Sequence, residues 1–309
     1  MANSFSENGV IIPENIMKNQ NVDLESVAIA CARMAEDKVL FQVESPFHTI
    51  AVCENSIGRF LRYGISFQAG RIDSPIYQGN IPYLNYFLLS YLLKKNAQKI
   101  LLIGFGTGIL VKQFEKIFKN LKRFDVVDIE ENILPIAKKY FNFTESEKFH
   151  FHLQDALVYL RNNKTKYDLI ITDVAGNEGI DERFFEDEFF NNIKKSLKKD
   201  GVFAFNSCAN TDFNENEETF FGFTVKKYKE HFKNFAVFNG MTSDLTYFKA
   251  FFDIDKRVLD VTNAIIFASD KEFDENVFDK INDEDLKTIS AINVDILPYS
   301  KDLHKIYKA

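Results

Sequence analysis

The chain has 309 residues, and its 38 basic and 45 acidic side chains give a formal net charge of −7. This balance argues against binding of nucleic acid through bulk positive charge. Hydrophobic residues make up 46% of the chain and charged residues 27%, a composition that excludes disorder throughout. The aromatic content is unusual, because the chain contains 33 Phe and 12 Tyr but no Trp.

The cysteines and the apolar runs predict the cellular location of the protein. Cys31, Cys53 and Cys208 are far apart and form no CxxC pair, so we expect neither a disulfide framework nor a zinc site. The first twenty residues are polar and lack the apolar core of a secretory signal. The apolar run 81–93 is too short to span a bilayer. We therefore expect a cytoplasmic protein that binds no membrane.

In chain order, the first two segments differ in their hydrophobic pattern. Residues 1–37 read as an N-terminal extension in which a short amphipathic helix begins at Asp23. Residues 38–80 contain short β-type runs that are broken at Ser45-Pro46, at 55–58 and at Gly64. This second segment is predicted to be a small antiparallel β domain built of hairpins.

The third segment, residues 81–309, alternates apolar strands with helical stretches. After a helix that ends at Leu93, the pattern predicts strands at 99–103, 124–129, 149–153, 167–172 and 201–206, with helices at 109–118, 132–140, 156–162 and 183–197. Such a succession of β–α units predicts a parallel, doubly wound sheet with helices on both faces. A further helix near 217–232 and β-type runs at 235–238 and 261–268 follow.

A glycine-rich turn follows the first of these strands. Residues 99–108 read KILLIGFGTG, a strand that turns through Gly104, Gly106 and Gly108 directly into a helix. Glycines allow backbone N–H groups and the helix N-terminus to approach a ligand closely. Asp128 ends the next strand, where a carboxylate can accept hydrogen bonds from both hydroxyls of a ribose. The pattern predicts a nucleotide-type site, and a tight structural turn is the alternative.

Two further carboxylates follow the third and fourth predicted strands. The spacing GxGxG favours an adenosyl-sulfonium cofactor over NAD, and Asp155 could then reach the adenine amino group or simply cap a helix. Asp173 ends the fourth strand, from which catalytic side chains of open α/β sheets usually project, and a flexible loop at 174–179 follows it. A solvated loop aspartate is the alternative for Asp173.

Several motifs in order resemble the spermidine synthase (polyamine aminopropyltransferase) family. They are SPFHTIAV, GRFLRYG and ISFQ in the β segment, then IGFGTG, VVDIE, QDALVYL and YDLIITD, and finally DILPYSKDL. The resemblance covers about residue 40 to the end. It implies an α/β Rossmann-like S-adenosylmethionine-dependent transferase fold with a small N-terminal antiparallel β domain. It also implies a homodimer or larger homo-oligomer.

The same resemblance implies a reaction and a set of site residues. Asp173, helped by Tyr77, would be catalytic at a small-molecule amine acceptor, which must lose a proton before it attacks the carbon beside the sulfonium. The co-substrate would be S-adenosylmethionine or its decarboxylated form, and no metal is needed. The residues that would bind it are Gln68, Gly104, Gly106, Thr107, Gly108, Asp128 and Asp155.

Departures from the family pattern concentrate on the acceptor side. Thr107 occupies the position of an aspartate in the family's glycine loop, Gly176 that of a second aspartate after the catalytic one, and Gly79 that of a glutamate. The chain also lacks the family's channel tryptophan. Intact S-adenosylmethionine carries a carboxylate that an aspartate would repel, so Thr107 tolerates it better. We expect aminopropyl transfer, with a small-molecule methyltransferase and a non-catalytic nucleoside-binding protein as alternatives.

Overall fold

The computed structural model describes residues 37–64, 66–74, 77–174, 180–210, 212–254, 261–274 and 276–308. The predicted helix that begins at Asp23 and the loop position Gly176 lie outside the described residues. Among the helices of the described part, none has the length and apolar character needed to cross a membrane.

The N-terminal sheet is antiparallel and its strands are arranged in sequence order, as the hairpin pattern predicts. Because side chains alternate along a strand, Ile50 and Leu61 enter the main apolar core, whereas Phe60 and Ile72 face a smaller cluster. Its five strands are β1 (Lys38–Glu44), β2 (Thr49–Asn55), β3 (Gly58–Tyr63), β4 (Ser66–Asp73) and β5 (Gln78–Asn80).

The second sheet has eight strands in the order β13-β11-β12-β10-β9-β6-β7-β8. The five strands of the predicted β–α units pair in parallel, and three later strands extend the sheet in antiparallel pairs. The last of these was not predicted. The strands are β6 (Lys99–Ile103), β7 (Arg123–Asp128), β8 (Phe149–Leu153), β9 (Tyr167–Thr172), β10 (Leu197–Asn210), β11 (Asn234–Asn239), β12 (Val261–Ser269) and β13 (Leu303–Lys308).

Helices cover both faces of this sheet, and the sequence pattern explains most of them. Helix α2, for example, buries Leu110, Val111, Phe114 and Ile117, which recur at the spacing of one helical face. Two stretches, Pro82–Leu89 and Glu182–Phe185, are 3₁₀ helices. The α-helices are α1 (Ser90–Leu93), α2 (Ile109–Ile117), α3 (Ile133–Tyr140), α4 (Ala156–Asn162), α5 (Asp187–Ser196), α6 (Phe220–His231), α7 (Met241–Phe252), α8 (Asp283–Ser290) and α9 (Leu297–Ser300).

Phenylalanine fills the interior in the absence of tryptophan. Phe189, Phe190, Phe203 and Phe205 are fully buried between the sheet and its helices, and Phe189 contacts Phe190 and Phe203 edge to face. This is the geometry that aromatic rings prefer. One continuous apolar cluster also includes residues of both sheets, so the N-terminal sheet packs directly on the larger domain. The predicted fold class is confirmed.

Candidate active site

Three parallel strands end at the same edge of the larger sheet and bring the predicted residues together. The N–H of Gly104, after β6, donates to the carbonyl oxygen of Val127 in β7 at 2.9 Å. The N–H of Asp173, after β9, donates to the carbonyl oxygen of Ile103 in β6 at 2.9 Å. Gly104, Asp128 and Asp173 therefore surround one crevice at the carboxyl ends of the strands, the usual ligand position in open α/β sheets.

The glycine loop adopts a conformation that requires glycine. Gly104, Gly106 and Gly108 have φ angles of 89°, 57° and 74°, all in the left-handed region. A Cβ atom on Gly104 would lie 2.1 Å from the carbonyl oxygen of Asp173, so only glycine fits there. At Gly106, an added Cβ would lie 3.4 Å from the Cβ of Ala69, so strand β4 of the N-terminal sheet covers this loop.

Thr107 lies in the glycine loop and its side chain is buried. The residue is only 2% exposed, and its hydroxyl is buried without a hydrogen-bond partner among the described residues. The predicted contact of Thr107 with the cofactor stays a prediction.

Asp128 is held by main-chain donors. Its Oδ2 accepts a hydrogen bond from the N–H of Phe105 at 2.7 Å, and its Oδ1 accepts one from the N–H of Glu130 at 2.9 Å. Burial raises the pKa of Asp128 to about 6, although these backbone hydrogen bonds favour the charged form. Because the two carboxylate oxygens can accept about four hydrogen bonds, Asp128 keeps some capacity to accept a hydrogen bond from a ligand.

Apolar side chains beside Asp128 were missed in the sequence. Ile129, the next residue, is 41% exposed, and Leu153, the register partner of Asp128 on β8, is 55% exposed. Exposed aliphatic side chains next to a carboxylate that is predicted to bind ribose form a surface on which a nucleobase can lie. Their position at the ends of adjacent predicted strands was the signal that could have identified them.

Asp155 caps helix α4. Its Oδ1 accepts hydrogen bonds from the N–H groups of Leu157 at 2.8 Å and Val158 at 3.0 Å, which is the helix-cap role left open by the sequence. Its Oδ2 lies 3.5 Å from Nη2 of Arg183, a residue that the sequence did not indicate. The cap does not preclude a contact with adenine, which stays a prediction.

Asp173 is held by side chains from two distant segments. Its Oδ1 accepts a hydrogen bond from Nδ2 of Asn206 at 3.0 Å, and its Oδ2 accepts one from the hydroxyl of Tyr83 at 3.1 Å. Burial raises the pKa of Asp173 to about 6, and these two hydrogen bonds oppose that rise. A half-buried carboxylate with this pKa is ionised at neutral pH and can still accept a proton.

Sequence reasoning identified neither partner of Asp173. Asn206 ends the predicted strand 201–206, which is adjacent to the strand before Asp173, so its position was a usable signal. Tyr83 offered no signal, because it lies in an apolar stretch that reads as core. Its hydroxyl also lies 3.2 Å from the carbonyl oxygen of Gln68, whose own side chain is half-buried.

Tyr77 has different partners from those expected. Its hydroxyl accepts a hydrogen bond from Nδ2 of Asn85 at 3.0 Å, and the same amide donates to the hydroxyl of Tyr299 at 2.9 Å. Burial raises the pKa of Tyr77, so the phenol stays protonated. The hydrogen bonds of Tyr77 thus run toward the C-terminal helix α9, whereas those of Asp173 run to Tyr83 and Asn206. A contribution of Tyr77 to the acceptor site stays a prediction.

Similarity to known proteins is found in both sequence and fold. Residues 88–245 match the spermine/spermidine synthase domain. A polyamine aminopropyltransferase of Clostridium botulinum (strain Alaska E43 / Type E3) is 28% identical over 199 residues, which are 63% of this chain and 65% of the relative. One from Lachnospira eligens is 29% identical over 174 residues, 55% of this chain and 59% of the relative. The matched part of this chain thus spans less than two thirds of these relatives' length.

Solved structures share the fold at low sequence identity. A spermidine synthase in complex with the transition state analogue AdoDATO is 18% identical, with a TM-score of 0.63 over 81% of this chain and 78% of that chain. The spermidine synthase of Thermotoga maritima is also 18% identical, with a TM-score of 0.59 over the same shares of the two chains. These similarities confirm the Rossmann-like fold with its N-terminal β sheet.

Proposed function

Because the chain belongs to the spermine/spermidine synthase family, we propose that it is an aminopropyltransferase that uses decarboxylated S-adenosylmethionine and a small amine acceptor. The observation that carries this proposal is the arrangement around Asp173. A half-buried carboxylate with its pKa raised to about 6 lies at the crevice edge, directly against the glycine loop. An amine nucleophile needs such a group beside the cofactor's reactive carbon.

The cofactor would occupy the crevice between the glycine loop and strands β7 and β8. The main-chain N–H groups of the loop and the free lone pairs of Asp128 suit a ribose, and the apolar surface of Ile129 and Leu153 suits a base. The donor supplies a CH₂ group bound to a positively charged sulfur. These residues support an adenosyl ligand and bring its sulfonium end toward Asp173.

Asp173 would orient the amine and take its proton. The nitrogen lone pair forms the new N–C bond while the C–S bond breaks, its electrons stay on sulfur to give neutral methylthioadenosine, and the proton released from nitrogen passes to the Asp173 carboxylate. Desolvation of the bound amine disfavours the charged ammonium and so raises the fraction of the amine that can react, whereas the charge of Asp173 alone would favour the ammonium. The residues therefore act mainly by positioning and by accepting one proton.

The test is direct product identification with the full-length protein. We expect methylthioadenosine and an aminopropylated amine, identified by mass spectrometry, when the protein is incubated with decarboxylated S-adenosylmethionine and a panel of monoamines and diamines. S-adenosylhomocysteine and a methylated product from intact S-adenosylmethionine would replace this proposal by the methyltransferase. Tight binding of a nucleoside without turnover of either cofactor would replace it by a non-catalytic binding protein.

A further inference from the structure

A tyrosine other than the one that the family pattern indicates forms a hydrogen bond with the proposed base. Tyr83 directs its hydroxyl at Oδ2 of Asp173, at 3.1 Å, whereas the hydroxyl of Tyr77 is bound by Asn85. We propose that Tyr83, and not Tyr77, is the positioning residue that holds Asp173 and stabilises it both before and after it accepts a proton. The assignment of Asp173 as the proton acceptor rests on the proposed function.

The two acceptors next to the Tyr83 hydroxyl explain how it can stabilise both the ionised and the protonated form of Asp173. Its oxygen lies 3.1 Å from Oδ2 of Asp173 and 3.2 Å from the carbonyl oxygen of Gln68. A phenol has one hydrogen to donate and can also accept. When Asp173 is a carboxylate, Tyr83 donates to Oδ2. When Asp173 carries a proton on Oδ2, it donates to Tyr83, and the phenol hydrogen turns to Gln68.

Asn206 determines which oxygen of Asp173 can receive the proton. Its amide Nδ2 donates to Oδ1 at 3.0 Å, and the residue is only 9% exposed, so this contact is fixed by the surrounding sheet. A proton on Oδ1 would face a donor and lose that hydrogen bond. A proton on Oδ2 faces the phenol oxygen of Tyr83, which can accept it. Asp173 therefore accepts the proton on Oδ2, the oxygen that contacts Tyr83.

The local fold explains why Tyr83 reaches the crevice. It is the second residue of the 3₁₀ helix Pro82–Leu89, in which the other seven residues are buried and Tyr83 alone is half-buried. The helix packs its apolar side chains into the core and leaves this ring at the junction between strand β4 and the end of strand β9. The phenol therefore links the N-terminal sheet, through Gln68, to the carboxylate of the larger domain.

Tyr77 is restrained in another direction. The amide of Asn85 donates both to Tyr77 and to Tyr299, so the half-buried Tyr77 and the buried Asn85 and Tyr299 form one network toward the C-terminal helix α9. The ring of Tyr77 also lies over Gly79, where an added Cβ would be 2.9 Å from the hydroxyl. To reach Asp173, Tyr77 would have to give up the hydrogen bond from the buried amide of Asn85, which is unfavourable in the interior.

The experiment compares Tyr83→Phe with Tyr77→Phe in the full chain. The carboxyl group of Asp173, labelled with carbon-13 and assigned with Asp173→Asn, is titrated by NMR. In Tyr83→Phe both forms of Asp173 lose a hydrogen bond, but the bond to the charged carboxylate is the stronger one, so we expect the pKa of Asp173 to rise by about one pH unit. In Tyr77→Phe we expect the wild-type titration. A shift in Tyr77→Phe alone, or equal titrations in both variants, would overturn the proposal.

Turnover and folding provide independent readouts. With decarboxylated S-adenosylmethionine and an amine, the acidic limb of kcat/KM in Tyr83→Phe should move to higher pH with the titration, at unchanged affinity for the cofactor. The NMR titration does not depend on turnover. If the wild type is inactive but the pKa of Asp173 still shifts in Tyr83→Phe, the proposed function is refuted and the role of Tyr83 in holding Asp173 is not. If Tyr83→Phe does not fold, the wild type labelled with fluorotyrosine provides the test. The fluorine signal of Tyr83 should then titrate at the same pH as Asp173. A Tyr83 signal that does not titrate with Asp173 would overturn the inference.

Discussion

Asp128 and Asp173 are two half-buried carboxylates at the ends of strands β7 and β9, which flank strand β6, and they are held in opposite ways. Burial raises the pKa of each to about 6. Asp128 accepts its hydrogen bonds from the backbone N–H groups of Phe105 and Glu130, whereas Asp173 accepts both of its bonds from side chains. Main-chain donors are present whatever the side chains are, so the cofactor side can keep its geometry while residues change. The acceptor side depends on individual side chains that can be replaced one at a time.

This difference explains where the chain departs from its family. The glycine loop keeps three left-handed glycines, and the loss of an aspartate at Thr107 leaves the loop backbone able to bind a ligand. On the acceptor side, a glycine at position 79 accompanies a tyrosine whose hydroxyl is bound by Asn85. A neighbouring tyrosine, Tyr83, contacts Asp173. The predictions below test the two regions separately.

The largest effect is expected for Asp173→Asn, which removes the proton acceptor and keeps the side-chain shape. We expect kcat/KM for aminopropyl transfer to fall by about 10²- to 10⁴-fold, the usual contribution of a positioned base. Cofactor affinity, measured by calorimetry, should stay at the wild-type value. An equal loss of turnover and of cofactor affinity would mean that Asp173 belongs to the cofactor side.

The matched control for this variant is Asp200→Asn. Asp200 forms an ion pair with Lys94 at the surface, away from the crevice, so the same chemical change should leave both kcat/KM and affinity unaltered. A loss of turnover in this control would show that the amide substitution acts through general effects on the fold.

The second prediction concerns the backbone-held carboxylate. Asp128→Ala removes the acceptor of the Phe105 and Glu130 N–H groups together with the proposed ribose contact. We expect cofactor affinity to fall by about 100-fold, or about 3 kcal/mol, because hydrogen bonds to a charged group are lost. The kcat at saturating cofactor should fall less than in Asp173→Asn. Calorimetry with unchanged affinity would contradict the ribose assignment.

The two regions also differ in how well the sequence predicted them. Strand ends, the glycine loop and Asp128 follow from local pattern and strand topology, because parallel strands that end together bring their next residues together. Tyr83 and Asn206 approach Asp173 from 90 and 33 residues away in sequence. Helix α7 and strand β13 were missed for a similar reason, since they form by packing on distant elements and not by local periodicity. Side-chain partners of this kind depend on tertiary geometry that composition and spacing do not encode.

The third prediction concerns how the charge of Asp173 lowers the free energy of unfolding. Since burial raises the pKa of Asp173 to about 6, the folded state binds this proton more tightly than the unfolded chain does. The resulting stability is present below the ordinary pKa of about 4 and is lost as the pH rises through 6. Asp173→Asn stays neutral at every pH and can still hydrogen-bond with Asn206 and Tyr83.

We therefore expect Asp173→Asn to be more stable than the wild type above pH 6, by about 3 kcal/mol, and equally stable below pH 4. Thermal melting at pH 4 and at pH 7.5 measures the difference. Asp128 titrates in both the wild type and Asp173→Asn, so its contribution cancels in the stability difference between them. A stability difference that is the same at both pH values would show that it does not come from the charge of Asp173.

The smallest effect is expected for Gly79→Ala, which tests how far the side-chain network on the acceptor side can adjust. A Cβ at this position would lie 2.9 Å from the hydroxyl of Tyr77, so the ring must shift and weaken its hydrogen bond with Asn85. That loss, about 1 kcal/mol, is opposed by the smaller conformational entropy of alanine in the unfolded chain. We expect nearly unchanged melting and a decrease in kcat/KM of less than about tenfold, with the pKa of Asp173 unaltered because Tyr83 remains in place. Abolished turnover with normal folding would show that Tyr77 itself contacts the acceptor, and that both tyrosines serve the reaction.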